Sequence, residues 1–197
     1  MFAIHARYRG KERRRAQLVE RSAQALSTLN GVDSFHVIGV EDIAATIDSA
    51  EGVCDTIMAL LSAHDWAIAL AISCDDTAND EETKQKVRSL ATRSLGTHAR
   101  SGTVKVVVQR DKKKDAAWAQ DIQAAFTMLA FILNKRTAEG REATSLVRSG
   151  LNQNEAAHEL GISKQAMSQR LQAAGWQAEM AGYTQAISLL ERVIKEH

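Results

Sequence analysis

Proline is absent from all 197 residues. Long helices therefore run unopposed, and turns that depend on an X-Pro step are excluded. Only two cysteines occur, Cys54 and Cys74, too few and too far apart for a disulfide framework or a thiolate metal site. Each falls in an apolar segment and is expected to be a buried free thiol. Strong charge of one sign is missing as well. The formal net charge is +1, so any affinity for nucleic acid has to come from local charge placement. No charged-then-apolar leader opens the chain, and no uninterrupted apolar run of membrane-spanning length stands out. The chain reads as cytoplasmic.

Chemical signatures are equally sparse. There is no Gly-rich phosphate loop, dinucleotide fingerprint or G-x-S-x-G nucleophile elbow. The histidines His5, His36, His64, His98, His158 and His197 show no ligand spacing. The sequence thus predicts no catalytic residue, no metal site and no cofactor.

What remains is ample for a packed core. Apolar residues make up 45% and charged residues 25%, and the length suits one domain of ordinary size or a domain plus a small appendage. Residues 2–8 alternate in period two and predict a strand. A helix is expected from about 11 to 29, on Leu18, Val19, Ala25, Leu26 and Leu29. Around it lies a basic cluster of Arg7, Arg9, Lys11, Arg13, Arg14, Arg15 and Arg21, countered by Glu12 and Glu20. Two readings stand for this cluster. It is a solvated helix face with loop arginines, or Arg13, Arg14 and Arg15 face phosphate, on DNA or on an anionic ligand.

Residues 35–38 and 43–47 predict a hairpin around 39–42, followed by a helix over 50–63. Residues 66–72 are almost continuously apolar, the mark of a central strand covered on both faces. An acidic stretch at 75–82 leads into a helix ending near Leu95, and 104–108 is the last strand. Lys112, Lys113 and Lys114 are expected in an exposed turn, after which Asp115 caps a helix to Asn134. Its apolar stripe comprises Trp118, Ile122, Phe126, Leu129, Ile132 and Leu133. The order β-α-β-β-α-β-α-β-α predicts an α/β (α+β) domain over 1–135 with a ferredoxin-like, partly antiparallel sheet.

A second, all-α unit is expected over 136–197. Thr137 can cap a helix to Ser149, and 176–194 carries Met180, Tyr183, Ile187, Leu190 and Ile194 at near-heptad spacing. Between them lies the most specific stretch. Asn152 and Glu155 have capping-box spacing before Ala156, Ala157 and Leu160. Gly161 can take the left-handed conformation that ends this helix, and Ile162 plugs the turn. Ser163 then caps a helix whose Met167, Leu171 and Ala174 point inward. The pattern predicts a helix-turn-helix with recognition helix 164–174 in the DNA major groove. Gln165, Ser168, Gln169 and Gln172 lie outward, with amides and a hydroxyl suited to base edges. Ser163, Lys164 and Arg170 are the expected phosphate contacts.

Arg136-Thr137 with Gly140, the run Leu160-Gly161-Ile162-Ser163, and residues 166–171 resemble a group of bacterial regulators related to SatD-type proteins. The hairpin at 39–42 and the strand from Trp66 resemble their α/β core more distantly. The resemblance implies an N-terminal domain similar to the nucleotide-cyclase fold and a C-terminal helix-turn-helix, together a transcription regulator. Cyclase chemistry needs two carboxylates on neighbouring strands to hold metals. Residues 2–8 contain none, and only Glu41 and Asp42 remain at the hairpin, so the domain is expected to be a degenerate, non-enzymatic one for dimerisation or sensing. The expected partners are double-stranded DNA and a second copy of the chain, with the stripes of 115–134 and 176–194 as dimer surfaces. A small effector near Arg13–Arg15 and Glu41–Asp42 is a further expectation. The alternatives are a sensor or scaffold whose helix-turn-helix docks a protein, and a nucleotide-effector-binding protein.

Overall fold

A computed structural model describes residues 1–74, 80–109 and 112–196, with the backbone alone at 112–114. Much of the expected acidic stretch, 75–79, and His197 lie outside the described residues. The sheet is built from five strands: β1 (Phe2–Tyr8), β2 (His36–Val37), β3 (Asp42–Ile47), β4 (Trp66–Ser73) and β5 (Val104–Gln109), in the order β2-β3-β1-β4-β5. β1 runs antiparallel to both β3 and β4, β2 and β3 form the expected hairpin, and β5 adds in parallel to β4.

Alternation of large and small side chains decides what covers each face. On one face stand Phe2, Ile4 and Ala6 of β1 with Ile68, Leu70 and Ile72 of β4, packed in the main core. Helices α1 (Arg15–Leu26), α2 (Ala50–Ser62), α4 (Lys112–Asn134) and α8 (Trp176–Lys195) supply the other half of that core through Val19, Ile57, Phe126 and Leu190. The opposite face carries Ala3, Ala67, Ala69 and Ala71, and is covered by α3 (Glu81–Leu95) through Val87, Ala91 and Leu95. Alanines bring that helix close to the strands, and all eight residues of β4 are buried.

Beyond β5 the chain is helical: α4, α5 (Ala138–Arg148), α6 (Gln153–Glu159), α7 (Lys164–Ala173) and α8. A mixed α/β N-terminal part is thus followed by an all-α bundle. Helix α8 joins the two by packing. Its start, at Trp176, meets the small core of α5–α7, whereas Ala186, Leu189, Leu190 and Val193 sit in the core beneath the sheet.

Several local expectations are corrected. The first helix begins at Arg15, and Ala23 rather than Ala25 faces the core. Asp115 is not a cap: α4 starts at Lys112, so the lysines expected in an exposed turn form its first turn. The stripes of α4 and α8 are not free for a dimer, because Ile122, Phe126, Leu129, Leu133 and Leu190 are buried in the chain's own core. On α8 the buried face is rotated toward Ala186, Leu189 and Val193, leaving Met180 and Ile194 exposed. By length and composition, Asp115–Asn134 is apolar enough to cross a membrane. Its inward residues pack on the sheet, as those of a core helix do.

Candidate nucleic-acid interface

Helix α6 begins with a closed capping box. The Asn152 side chain accepts from the backbone N–H of Asn154 (2.9 Å) and Glu155 (3.1 Å), and Glu155 accepts in return from the Asn152 N–H at 2.8 Å. The box satisfies N-terminal donors that would otherwise be orphaned. Gly161, at φ 60, turns the chain out of α6, in a region that a β-carbon disfavours. Ser163 then caps α7, its Oγ accepting from the Ala166 N–H at 3.1 Å. The cap leaves the Ser163 hydroxyl proton free to donate outward.

Ala143, Ala156, Ala157, Met167 and Leu171 form a core of their own, with Ile162 and Trp176 packed against it. Met167 and Leu171 fix the inward face of α7. By the 100° step of the helix, Gln165, Gln169 and Gln172 cluster on the face opposite Met167, with Ser168 on their flank. All four are exposed, as are Ser163 and Lys164, whereas Arg170 is half-buried. Helix α7 contains no acidic residue. Its outward surface therefore offers amides, a hydroxyl and the positive end of the helix, with no carboxylate to repel an anion. Arg170 has a nearby acid in Glu139. Hydrogen bonds from its own backbone and from Thr137 hold the Glu139 carboxyl below its ordinary value, and Arg170 and Arg141 add to this electrostatically.

Behind α7 stands a buried ion cluster that the sequence pattern did not reveal. Arg136, 2% exposed, donates through Nε to the Ala174 carbonyl at 2.8 Å and pairs with Glu179, 3% exposed. Arg148 binds the other carboxylate oxygen of Glu179 and lies 5.6 Å from the Trp176 ring centroid. Two guanidiniums on one carboxylate thus tie α5, the end of α7 and α8 together. Glu179 lies one position before Met180, so a stripe centred on Met180 and Tyr183 hides it.

The N-terminal basic cluster is partly committed to holding the fold. Arg7 donates to Asp42 (2.6 Å) and to the Gly96 carbonyl (3.0 Å), and Arg9 donates to the carbonyls of Ala99 and Thr97. Arg15 pairs with Glu41, while Arg13 and Arg14 are exposed. Asp42 does not join Arg15. It is held by Arg7 and by buried His5, whose other ring nitrogen meets Thr92 Oγ1 at 2.9 Å. Burial lowers the His5 pKa against the raising effect of Asp42. The two acids of the hairpin are therefore separately engaged by cations and an imidazole. Among the described residues, no group of three or more His, Cys, Asp or Glu is placed to hold a metal ion. Cys54 is buried, which pushes its thiol well above the ordinary range, and Cys74 is half-buried, its thiol donating to the Val193 carbonyl at 3.5 Å.

No protein-family model, curated protein sequence or solved structure matches this chain.

Proposed function

We propose that the protein is a sequence-specific DNA-binding transcription regulator. In this reading α6 and α7 act as a helix-turn-helix, and α7 lies in the major groove. The carrying observation is the outward face of α7: Gln165, Ser168, Gln169 and Gln172 exposed together on a capped helix without an acidic residue. Glutamine amides donate and accept in one plane and can pair with an adenine edge in a bidentate manner. Ser163 and Lys164 at the helix start are placed for phosphate, with Arg170 at the margin. The antiparallel order of β2, β3, β1 and β4 supports a ferredoxin-like reading of the first domain. Its kinship to degenerate cyclase-like, SatD-related regulators rests on the sequence resemblance. Engagement of Asp42 by His5 and Arg7 favours a non-catalytic role for that domain. We place the protein in the cytoplasm, on the nucleoid.

A single recognition helix reads few base pairs, so a homodimer on a two-fold site is part of the proposal. Met128 (62%) and Phe131 (63%) are the exposed large apolar residues of α4 and mark the surface for the second copy.

The test is selection of bound fragments from sheared bacterial genomic DNA, followed by fluorescence anisotropy on enriched duplexes. One enriched motif is expected. Gln169→Ala should lose discrimination at particular bases, by about 1–3 kcal/mol. Lys164→Ala should weaken all sequences alike and reduce the salt slope by about 1. Uniform weak binding with no enriched motif would refute sequence-specific recognition.

A further inference from the structure

Between α2, α5 and α8 lies a cleft of about 590 Å³, within the size of small-molecule sites. Leu29, Met58, Val147, Trp176 and Met180 give it apolar and aromatic walls. Its polar side chains are Asp55, Ser62, Arg148, Glu179 and Tyr183, and the pairing of the ionisable ones determines what charge the cleft accepts. Glu179 is closed off by Arg136 and Arg148. Arg148, the cation of the lining, is engaged by that carboxylate and lies over Trp176. Asp55 differs. It is exposed on α2 and takes one hydrogen bond, from the Tyr183 hydroxyl to Oδ1 at 2.7 Å. Burial and Asp55 itself raise the Tyr183 pKa, so the phenol keeps its proton and leaves the carboxylate charge uncompensated. Arg136 and Arg148 share one carboxylate and keep one positive charge between them, whereas beside Asp55 the apolar walls meet an unneutralised carboxylate, and there they select a cation with an apolar body.

We propose that this cleft binds a small organic cation, a protonated amine on an aromatic or alkyl body. The ammonium sits on Asp55, and the body lies between Met58, Trp176 and Met180. Trp176 also packs against the core that seats α7, so an occupant touches the support of the recognition helix. That regulatory consequence rests on the DNA-binding reading; binding of the cation does not.

Calorimetry on the full chain tests the site without DNA. The probes share one ring and differ in charge: tryptamine, tryptophol and indole-3-acetate. Tryptamine is expected to bind, with the neutral and anionic probes at least about tenfold weaker. Asp55→Asn should cost tryptamine about tenfold or more, and Ala59→Phe should block the cleft. Both positions are exposed on α2, and thermal melts followed by circular dichroism verify that the variants fold. No heat with folded wild type, equal binding of the three probes, or unchanged affinity in Asp55→Asn would overturn the proposal. Anisotropy on selected DNA with and without tryptamine separates the two claims. Tryptamine binding to a chain that selects no DNA sinks the DNA reading and keeps the site. DNA selection without tryptamine binding does the reverse.

Discussion

Glu179 is the residue through which Arg136 and Arg148 are tied to α8. Its carboxylate lies between two guanidiniums, and Arg136 is as buried as the acid it meets. A buried pair of this kind gains little over an apolar substitute, but breaking it strands a charge away from water. Glu179→Ala is therefore expected to lower unfolding stability by about 3–5 kcal/mol, measured by urea denaturation. Glu179→Gln, which keeps a hydrogen-bond acceptor for Arg136, should lose less. A loss under about 1 kcal/mol in Glu179→Ala would show that water reaches Arg136 readily. His5 makes a pH-dependent contribution. Burial lowers its pKa, so the folded chain holds a neutral imidazole where the unfolded chain takes up a proton. Stability from this source is complete above about 6.5, the ordinary histidine value. It is lost as pH falls from there through the lowered folded value. The urea midpoint should fall between pH 7.5 and pH 5, and His5→Gln should flatten that fall.

At the scale of elements, the turn at Gly161 is set by backbone conformation alone. Its φ is 60, and a β-carbon there would meet no atom within 4 Å. Gly161→Val should cost about 1–2 kcal/mol through the left-handed backbone, and Gly161→Asn should cost less, because asparagine tolerates that region. The thermal melts of the two variants give the comparison. Gly182 is the opposite case: its missing β-carbon lets α8 approach α4, and a methyl would sit 2.8 Å from Leu129 Cδ2.

Local signals of this sort explain how far the sequence could be read. Caps at Thr137, Asn152 and Ser163, the hairpin, and the five strands all follow from short-range chemistry, and the structure places them where that chemistry puts them. The rotation of α8 did not follow. Leu190 is buried and Tyr183 and Ile187 pack against the core as the spacing predicts, but Ala186, Leu189 and Val193 join Leu190 in the core while Met180 and Ile194 are exposed. Only the tertiary partner decides between two apolar faces one residue apart. The α4 boundary failed for a related reason. Asp115 looked like a cap by residue type, yet it lies one turn inside the helix and is buried. The cleft at Asp55 and Tyr183 joins residues 128 positions apart, beyond any local pattern.

For the whole molecule, charge sets the scale of the DNA affinity that the proposed function predicts. Between 136 and 176 there are five basic and four acidic residues, and Arg136 is buried in its ion cluster. Few cations remain for phosphate. With two or three contacts per protomer, the log–log salt slope should be about −4 to −5 for a dimer, at roughly −0.9 per phosphate. The dimer itself is checked by sedimentation equilibrium. Phe131→Glu, at an exposed position of α4, should shift a micromolar dimer to a folded monomer whose melting temperature no longer depends on protein concentration. A wild-type monomer on and off DNA would remove this part of the account.

The central claim is that α7 meets base edges, and proximity cleavage tests it most directly. Iron–EDTA would be tethered at Gln169→Cys in a Cys74→Ser background, Cys54 being buried and unreactive. A second tether at Arg93→Cys, on α3 across the sheet, serves as the control. The account predicts cuts confined to a few nucleotides inside the selected site from position 169, and none from position 93. Protection of the same DNA with no cleavage from position 169 would place another surface in the groove and contradict it.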